Sequence, residues 1–137
     1  DSLFQAEARR CKDILDSIKN SSSGARHFCV FDELYSGTNP SEAIASAVAF
    51  LRYLNRFSGV SYVVTTHFTD LCRRLNTENR VQNYCMATDD IDGILHYKYR
   101  LTQGISSIRG GTKVLCELKY PLEILEDSKQ VVEEMKL

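Results

Sequence analysis

Apolar residues recur with the period of an α-helix at the start of the chain. They stand at steps of three and four residues, which places them on one face of a helix with charged residues opposite. The positions are Phe4, Ala8, Cys11, Leu15 and Ile18. Ser2 and Gln5 form the S-x-x-Q pattern of a capping box, and the loop-like stretch NSSSG follows Lys19. The pattern predicts one amphipathic helix that ends in this loop.

A strand, a helix and a second strand are predicted next. HFCVF, residues 27–31, is a short continuous apolar run, the form expected of a strand buried on both faces of a parallel sheet. Asn39 and Pro40 supply an N-cap and a first-position proline for a helix that runs to about Arg56. The inward positions of this helix are Ile44, Val48, Leu51 and Leu54. VSYVVTT, residues 60–66, is rich in β-branched residues, so the order of elements predicts a right-handed parallel crossover.

The remainder of the chain predicts an antiparallel hairpin and two helices. VQNYCMAT and ILHYKYRL are strand-like runs joined by DDIDG, residues 89–93. The Gly/Ser-rich segment TQGISSIRGG leads into a short helix at TKVLCEL. Pro121 separates that helix from a last amphipathic helix, whose apolar side consists of Leu122, Leu125, Val132 and Met135. The predicted fold class is α/β, with a parallel sheet, an antiparallel hairpin and C-terminal helices.

Composition narrows the class of protein. The chain has 137 residues, of which 43% are hydrophobic and 26% are charged, as in ordinary globular domains. A net charge of −1 gives no overall basic footprint, so we expect any nucleic-acid contact by these residues to be local or absent.

The cysteines and the apolar runs bear on the compartment. Five cysteines, an odd number with no C-x-x-C pair, favour a reducing intracellular compartment and speak against a zinc site. No apolar run is long enough to span a bilayer, and the N-terminus lacks the pattern of a signal peptide. Since Met is not the first residue, we expect the chain to begin within a longer protein.

Acidic and imidazole side chains follow the two predicted parallel strands. Asp32 and Glu33 end the first strand, and His67 leaves the second. The carboxyl ends of parallel strands form the edge at which open α/β sheets bind ligands. The aspartate suits Mg²⁺, which keeps several waters and takes few carboxylates. The glutamate suits a residue that orients or deprotonates water, and the histidine suits a hydrogen bond to that water or to a γ-phosphate. These residues predict the hydrolytic half of a nucleoside-triphosphate site.

Each of these residues also has a simpler interpretation. Asp32 and Glu33 fit the solvated start of a loop, and His67 fits a strand-end residue with ordinary hydrogen bonds. Ser2 fits a helix cap.

Longer stretches of the sequence resemble one family. VFDELYSGTNPSEAIASAVAFLRYL followed by YVVTTHFTDL resembles the Walker B, D-loop and switch-histidine region of the MutS family of DNA mismatch-repair ATPases, which belong to the ABC-type ATPase group. SLFQAEARRCKDIL is similar to the family's signature helix, of the form S-T-F-x-x-E. NYCMATDDIDGILHYKYRLTQGISSIRGGTKVLCELKYP resembles the hairpin, Gly/Ser loop and helix that end the ATPase domain. The resemblance implies a P-loop NTPase half-domain of the ABC type.

The resemblance implies roles for the residues of the predicted site. Asp32 would be the Walker B carboxylate that supports Mg²⁺, and Glu33 would be the general base or water-orienting residue. His67 would be the switch histidine. The implied cofactors are ATP and Mg²⁺.

The resemblance also implies a second MutS-type subunit as a partner. Gly37 and Thr38 would lie in the D-loop, which crosses the dimer interface. Ser2, at a helix N-terminus whose free N–H groups favour anions, would reach the γ-phosphate of nucleotide held by the opposing subunit. Tyr35 and Ser36 stand where the family usually has Gly-Arg or a similar pair. This departure puts any role of that arginine in subunit communication in doubt.

The 137 residues contain no Walker A loop. The nearest imitation is GISSIRGGTK, residues 104–113, in which Gly-Thr-Lys replaces Gly-Lys-Thr and the glycine spacing is one residue too long. We interpret it as a loop before a helix. In the family the P-loop lies upstream of the signature helix, so we expect the chain to start after it. We therefore expect this chain alone to bind ATP weakly and not to hydrolyse it.

The implied organisation has two parts. Residues 1–120 would be the C-terminal part of a MutS-type ATPase domain, and residues 121–137 a C-terminal helix that either helps to hold the dimer or packs on its own domain. DNA would be contacted through domains absent from this chain, with ATP driving clamp closure on mismatched DNA.

Two alternatives remain open. One is another ABC-type ATPase, from chromosome maintenance or a transporter, although those groups normally carry L-S-G-G-x where SLFQAE stands here. The other is a catalytically silent dimerisation module, which would need neither Glu33 nor His67.

Overall fold

The computed structural model describes residues 2–78, 80–106 and 110–135. The chain divides into two compact units, residues 1–82 and 83–137. The fold is mixed α/β, with one small parallel sheet in the first unit and one small antiparallel sheet in the second. The elements of the first unit are α1 (Leu3–Lys19), β1 (His27–Asp32), α2 (Pro40–Leu54), β2 (Val60–Thr65) and α3 (Thr69–Leu75).

Side-chain caps determine where α1 and α2 begin. Ser2 Oγ accepts a hydrogen bond from the Gln5 N–H at 3.1 Å, and Gln5 Oε1 accepts one from the Ser2 N–H at 3.1 Å. Both halves of the predicted capping box are therefore present. Asn39 Oδ1 accepts from the Glu42 N–H at 3.0 Å, and Pro40 occupies the first position of α2. Both predicted helix starts are confirmed.

Strands β1 and β2 pair in parallel, as the predicted crossover requires. The register aligns His27 with Val60 at one end of the sheet and Asp32 with Thr65 at the other. The two strands therefore end opposite each other. The loop that begins at Glu33 and the loop that follows Thr65 leave the sheet from the same edge, which brings their side chains into reach of one another.

The core of the first unit is built from its helices, the loop after β1 and one face of the sheet. The large side chains that are most fully enclosed are Leu34, Leu51, Leu54 and Leu71. Cys29, Tyr62 and Val64 pack against this core from the strands. Leu34 belongs to the loop that starts at Glu33 and is fully buried, so the packed core holds this loop at the edge of the sheet.

The expectation that β1 is buried on both faces is wrong for this chain. Burial alternates along the strand, and Phe28 and Val30 are 70% and 65% exposed. Val63 of β2 is half-exposed in the same way. The run HFCVF is apolar throughout, but the core residues of the described chain meet only the face that carries Cys29 and Phe31. A two-stranded sheet with one covered face follows the period-2 alternation of side chains.

The second unit contains β3 (Tyr84–Ile91) and β4 (Ile94–Gln103), followed by α4 (Gly110–Glu117) and α5 (Leu122–Glu134). The strands are antiparallel, which confirms the predicted hairpin. Its turn is Asp92-Gly93 alone, with φ values of 53° and 81°, as a two-residue turn of type I′ requires. Strand β3 therefore extends to Ile91, three residues closer to the turn than the predicted connection DDIDG allows.

A bulge interrupts the hairpin. Met86 pairs with Leu101 and Thr88 pairs with Tyr97, so β4 carries the extra residues. Tyr99 lies within this bulge, with a φ of 55°. The Tyr99 side chain is exposed, and bulges in general increase the local twist of a strand pair.

Helix α4 begins at Gly110, and the short imitation of a Walker A loop overlaps it. Residues 107–109 of that segment lie outside the described residues. Lys113, the lysine of the imitation, pairs with Asp90 of β3. This contact supports our interpretation of the segment as a loop before a helix. Within the described parts of the chain, no helix is long and apolar enough to cross a membrane.

Candidate functional site

The carboxyl ends of β1 and β2 bring Asp32, Glu33 and Thr65 together. Thr65 Oγ1 donates to Asp32 Oδ1 at 2.6 Å and accepts from the Glu33 N–H at 3.0 Å. The Glu33 N–H also points at the Thr65 carbonyl oxygen, at 3.0 Å. The register of the parallel pair produces this arrangement, because it places Asp32 beside Thr65.

Two of the predicted site residues, Glu33 and His67, are in direct contact. His67 Nε2 lies 2.7 Å from Glu33 Oε1. Both side chains are exposed to solvent, the histidine more than the glutamate. An imidazole N–H that donates to a carboxylate orients both groups at the edge of the sheet. The structure thus brings Asp32, Glu33 and His67 to one place, as the sequence predicted.

The chain turns sharply after Asp32. Glu33 has a φ of 53° and Tyr35 a φ of 60°, a left-handed conformation that is uncommon for residues other than glycine. The Ser36 N–H closes the turn on the Glu33 carbonyl oxygen at 3.1 Å. Strained backbone of this kind persists only where the surroundings hold it.

Tyr35 is held from several sides. Its N–H donates to Glu7 Oε1 of α1 at 2.5 Å. Its ring lies 5.6 Å from the Phe4 ring and 6.0 Å from the Phe50 ring, measured between centroids. Its hydroxyl hydrogen-bonds the Cys11 thiol, and burial raises the pKa of the tyrosine far above its usual value. These contacts fix the turn to α1.

Gly37 lies against the first turn of α1. A Cβ atom on Gly37 would come within 3.1 Å of the Phe4 backbone nitrogen and 3.2 Å of Leu3 Cγ. Ser2 is the N-cap of the same turn. Thr38 Oγ1 donates to Glu42 Oε2 at 3.1 Å. The predicted residues therefore fall into two groups, with Ser2 and Gly37 near the start of α1 and the acids with His67 at the strand ends.

The donor set at the strand ends suits Mg²⁺ better than a transition metal. Among the residues that the structure describes, no three His, Cys, Asp or Glu side chains are grouped around one point. Mg²⁺ needs only one or two carboxylates, because water and substrate phosphates supply the other oxygens. Asp32 uses Oδ1 for Thr65, which leaves Oδ2 for a metal ion or its water.

A groove of about 630 Å³ leads to the acids. It runs between α1 and β1, and its lining includes Arg10, Val30, Asp32 and Glu33. A larger cavity, of about 750 Å³, lies around His27 and Gly59 at the opposite ends of the strands. The larger cavity contains none of the predicted site residues.

Two residues at the site were not predicted from the sequence. Thr65 belongs to the run VSYVVTT, which predicts a strand, and its place opposite Asp32 depends on the register of the two strands. Glu7 is the acidic residue of SLFQAE, within the stretch that resembles the family's signature helix. Its spacing gave no indication that it would accept a hydrogen bond from Tyr35.

Comparison with known proteins identifies the family. The family model of MutS domain V matches residues 1–136. The chain belongs to the MutS family. Domain V is the ATPase domain of full-length MutS proteins.

Individual relatives carry two names. The chain is 29% identical over 131 residues to Endonuclease MutS2 of Halothermothrix orenii, and 30% identical over 112 residues to that of Agathobacter rectalis. It is 23% identical over 124 residues to the DNA mismatch repair protein MutS of Aquifex pyrophilus. These alignments cover 96%, 82% and 90% of this chain but only 16%, 14% and 14% of the relatives. The chain thus spans about one-seventh of their length.

Proposed function

We propose that this chain supplies the hydrolytic half of a Mg²⁺-dependent ATPase site in a longer MutS-type protein. The observation that carries the proposal is the contact between Glu33 and His67 beside the Asp32 carboxylate at one sheet edge. A pair of adjacent acids that were only the solvated start of a loop would not need a histidine from another strand. The proposed architecture is half of an ABC-type P-loop NTPase domain.

The proposed roles follow from the positions of the side chains. Asp32 holds Mg²⁺, directly or through water, with Oδ2. Glu33 orients the attacking water and accepts its proton, and His67 keeps the Glu33 carboxylate in place or bonds the γ-phosphate. Mg²⁺, when bound with ATP, supplies positive charge to the phosphates.

A second MutS-type subunit completes the proposed site. Ser2 caps α1, and the Gly37 backbone packs against the same turn. We assign Ser2, Gly37 and Thr38 to the surface that faces nucleotide held by the partner. The free N–H groups at the start of α1 favour an anion there.

The C-terminal helix is a candidate dimerisation element. None of the described residues of α5 is buried, and Leu122 and Met135 are 67% and 76% exposed. We propose residues 121–137 as the C-terminal helix beyond a domain of residues 1–120. Size-exclusion chromatography of the chain with and without residues 121–137 tests this role, and an unchanged apparent mass would argue against it.

The proposed biological role couples ATP to DNA in mismatch repair, with DNA bound by parts outside this chain. The second candidate for the longer protein is a MutS2-type protein. It is included because the relatives named MutS2 show higher identities to this chain than the relative named MutS. The affinities of the longer protein for mismatched and matched duplexes discriminate between mismatch repair and the second candidate. Tighter binding to the mismatch supports mismatch repair, and equal binding to mismatched and matched duplexes supports the second candidate.

We place the protein inside the cell, in a reducing compartment. Cys11, Cys29, Cys85 and Cys116 are not joined in disulfide bonds, and Cys116 is exposed to solvent. The two other classes considered for the sequence, a different ABC-type ATPase and a silent dimerisation module, are less well supported. The family match disfavours the first, and the contact between Glu33 and His67 disfavours the second.

Steady-state hydrolysis by a protein that joins these residues to a Walker A loop tests the ATPase proposal. Glu33→Gln is expected to lower kcat by about 10²- to 10⁴-fold with a small change in KM, because the general base is lost. Glu117→Gln, an exposed change on α4, is the matched control and should leave kcat unchanged. Retention of the wild-type kcat by Glu33→Gln would refute the proposal.

A further inference from the structure

We propose that Thr65 is a positioning residue, which directs the Asp32 carboxylate and the Glu33 main chain toward a bound Mg²⁺–nucleotide. This inference rests on the function proposed for Asp32 and Glu33. It adds a residue that touches neither the metal nor the attacking water and acts through the two acids.

The hydroxyl group of Thr65 makes two bonds at once. It donates its single proton to Asp32 Oδ1 at 2.6 Å, and one of its lone pairs accepts the Glu33 N–H at 3.0 Å. The bond to Asp32 is short because its acceptor is a carboxylate, and bonds of this class are the stronger ones. One side chain therefore contacts the carboxylate of Asp32 and the main chain of Glu33.

The Thr65 main chain adds a third contact. Its carbonyl oxygen lies 3.0 Å from the Glu33 nitrogen, so the Glu33 N–H meets two acceptors of the same residue. Glu33 has a φ of 53°, which is costly for a residue with a Cβ atom. Thr65 thus holds the residue at which the chain leaves β1, and the turn there directs the Glu33 carboxylate to His67.

The type of residue matters at this position. Thr65 is the last residue of β2, directly opposite Asp32 in the parallel register. Threonine is β-branched, and its χ1 angle is restricted, so the hydroxyl has a defined direction. The hydroxyl occupies one lone pair of Asp32 Oδ1, so Oδ2 keeps both of its lone pairs for a metal ion or its water.

Paramagnetic NMR with Mn²⁺ in place of Mg²⁺ tests the inference on the complete 137-residue chain. In the wild-type chain, MnCl₂ should broaden the amide resonances of residues 31–33 and 65–67. Asp32→Asn should abolish this broadening, which tests the proposed metal ligand separately. Thr65→Val keeps the shape but removes the hydroxyl, and Thr65→Ser keeps the hydroxyl.

Thr65→Val is expected to raise the Mn²⁺ concentration for half-maximal broadening about tenfold, in line with the loss of other outer-shell partners of metal ligands. Thr65→Ser should stay within about twofold of the wild-type concentration, since it retains the hydrogen-bonding group. Without metal, the Glu33 amide proton should shift upfield in Thr65→Val alone, because that proton loses one acceptor.

The outcomes separate this inference from the function on which it rests. Wild-type broadening that Thr65→Val leaves unchanged overturns the role of Thr65 and keeps that of Asp32. Equal losses in Thr65→Val and Thr65→Ser, with shifts throughout the first unit, also overturn it, because they indicate a role in folding only. Absence of localised broadening in the wild-type chain overturns the metal assignment of Asp32 and, with it, the positioning role.

Discussion

His67 Nε2 lies 2.7 Å from Glu33 Oε1, although the two residues leave different strands of the sheet. The contact depends on the parallel register that sets Asp32 opposite Thr65. It depends as well on the left-handed backbone at Glu33, which turns the chain at the end of β1. A shift of one residue in the register would move side chains to the other face of the sheet. The contact between Glu33 and His67 therefore depends on the register of β1 and β2.

The isolated 137-residue chain is expected not to hydrolyse ATP. Its residues include the proposed base but no Walker A loop, whose amides and lysine position the β- and γ-phosphates in P-loop enzymes. Phosphate release from ATP and Mg²⁺ by the purified chain measures this. Turnover above background that Glu33→Gln abolishes would contradict the expectation, whereas turnover that survives Glu33→Gln would indicate a contaminating ATPase.

Much of the candidate site could be predicted because it depends on local patterns. The strand–helix–strand order placed Asp32, Glu33 and His67 at one edge, and the cap pattern placed Ser2 at the start of α1. These inferences need only the handedness of crossovers and the chemistry of helix starts. Thr65 could not be singled out in the same way, because its role depends on the register of two strands.

Other features depend on what covers an element. HFCVF has the composition of a strand buried on both faces, yet Phe28 and Val30 are exposed in this chain. The composition of a strand indicates which of its faces could be buried. Among the described residues, core side chains cover only one face of β1. The role of Glu7 could not be predicted either. Its hydrogen bond to Tyr35 requires a turn with positive φ, and the residues DELYSGT contain no local pattern that specifies such a turn.

Loss of the Glu7 carboxylate is expected to destabilise the first unit. The Tyr35 N–H is partly buried and donates to Glu7 Oε1, so Glu7→Ala leaves that donor without its acceptor, at a cost of about 1–3 kcal/mol. Glu7→Gln keeps a side-chain oxygen and should lose less. Urea denaturation gives the free energies, and hydrogen exchange at the Tyr35 amide should speed up in Glu7→Ala.

Asp13→Ala, an exposed change on the same helix, is the control for Glu7 and should cause no comparable loss. Equal stability of Glu7→Ala and the wild-type chain, with unchanged exchange at Tyr35, would show that the contact does not hold the turn.

Replacement of Gly59 or Gly37 by alanine is expected to destabilise the first unit, and the loss should be larger for Gly59. A Cβ atom on Gly59 would lie 2.5 Å from the Ala25 carbonyl oxygen, whereas one on Gly37 would lie 3.1 Å from the Phe4 nitrogen. Overpacking typically costs about 1–3 kcal/mol, so Gly59→Ala should fall at the upper end of that range and Gly37→Ala near the lower end.

Gly111→Ala, in α4, provides the matched control for both glycines. A Cβ atom there meets nothing within 4 Å, and alanine favours a helix over glycine. It should cause no loss in thermal unfolding experiments. A melting temperature for Gly59→Ala equal to or above that of Gly37→Ala would mean that the backbone near Ala25 yields easily.

Alkaline pH is expected to weaken the folded state. Burial raises the pKa of the thiols of Cys11, Cys29 and Cys72 above 9.0 and that of the hydroxyls of Tyr35 and Tyr62 above 10.0. A group whose pKa is raised on folding contributes its full stabilisation below the unfolded value. That contribution is lost as pH rises, since the unfolded chain releases the proton first.

Thermal unfolding between pH 7 and pH 10.5 measures the effect. The melting temperature should stay nearly constant up to about pH 9, where the cysteines of the unfolded chain ionise, and should fall above it. Cys29→Val removes a thiol whose pKa shift comes from burial alone, so the alkaline slope should become shallower. Cys116→Ala replaces an exposed thiol and should leave the slope unchanged. A melting temperature that stays constant to pH 10.5 would show that ionisation of the buried groups does not weaken the folded state. Equal slopes for the two variants would show that burial of the Cys29 thiol makes no contribution to the alkaline loss.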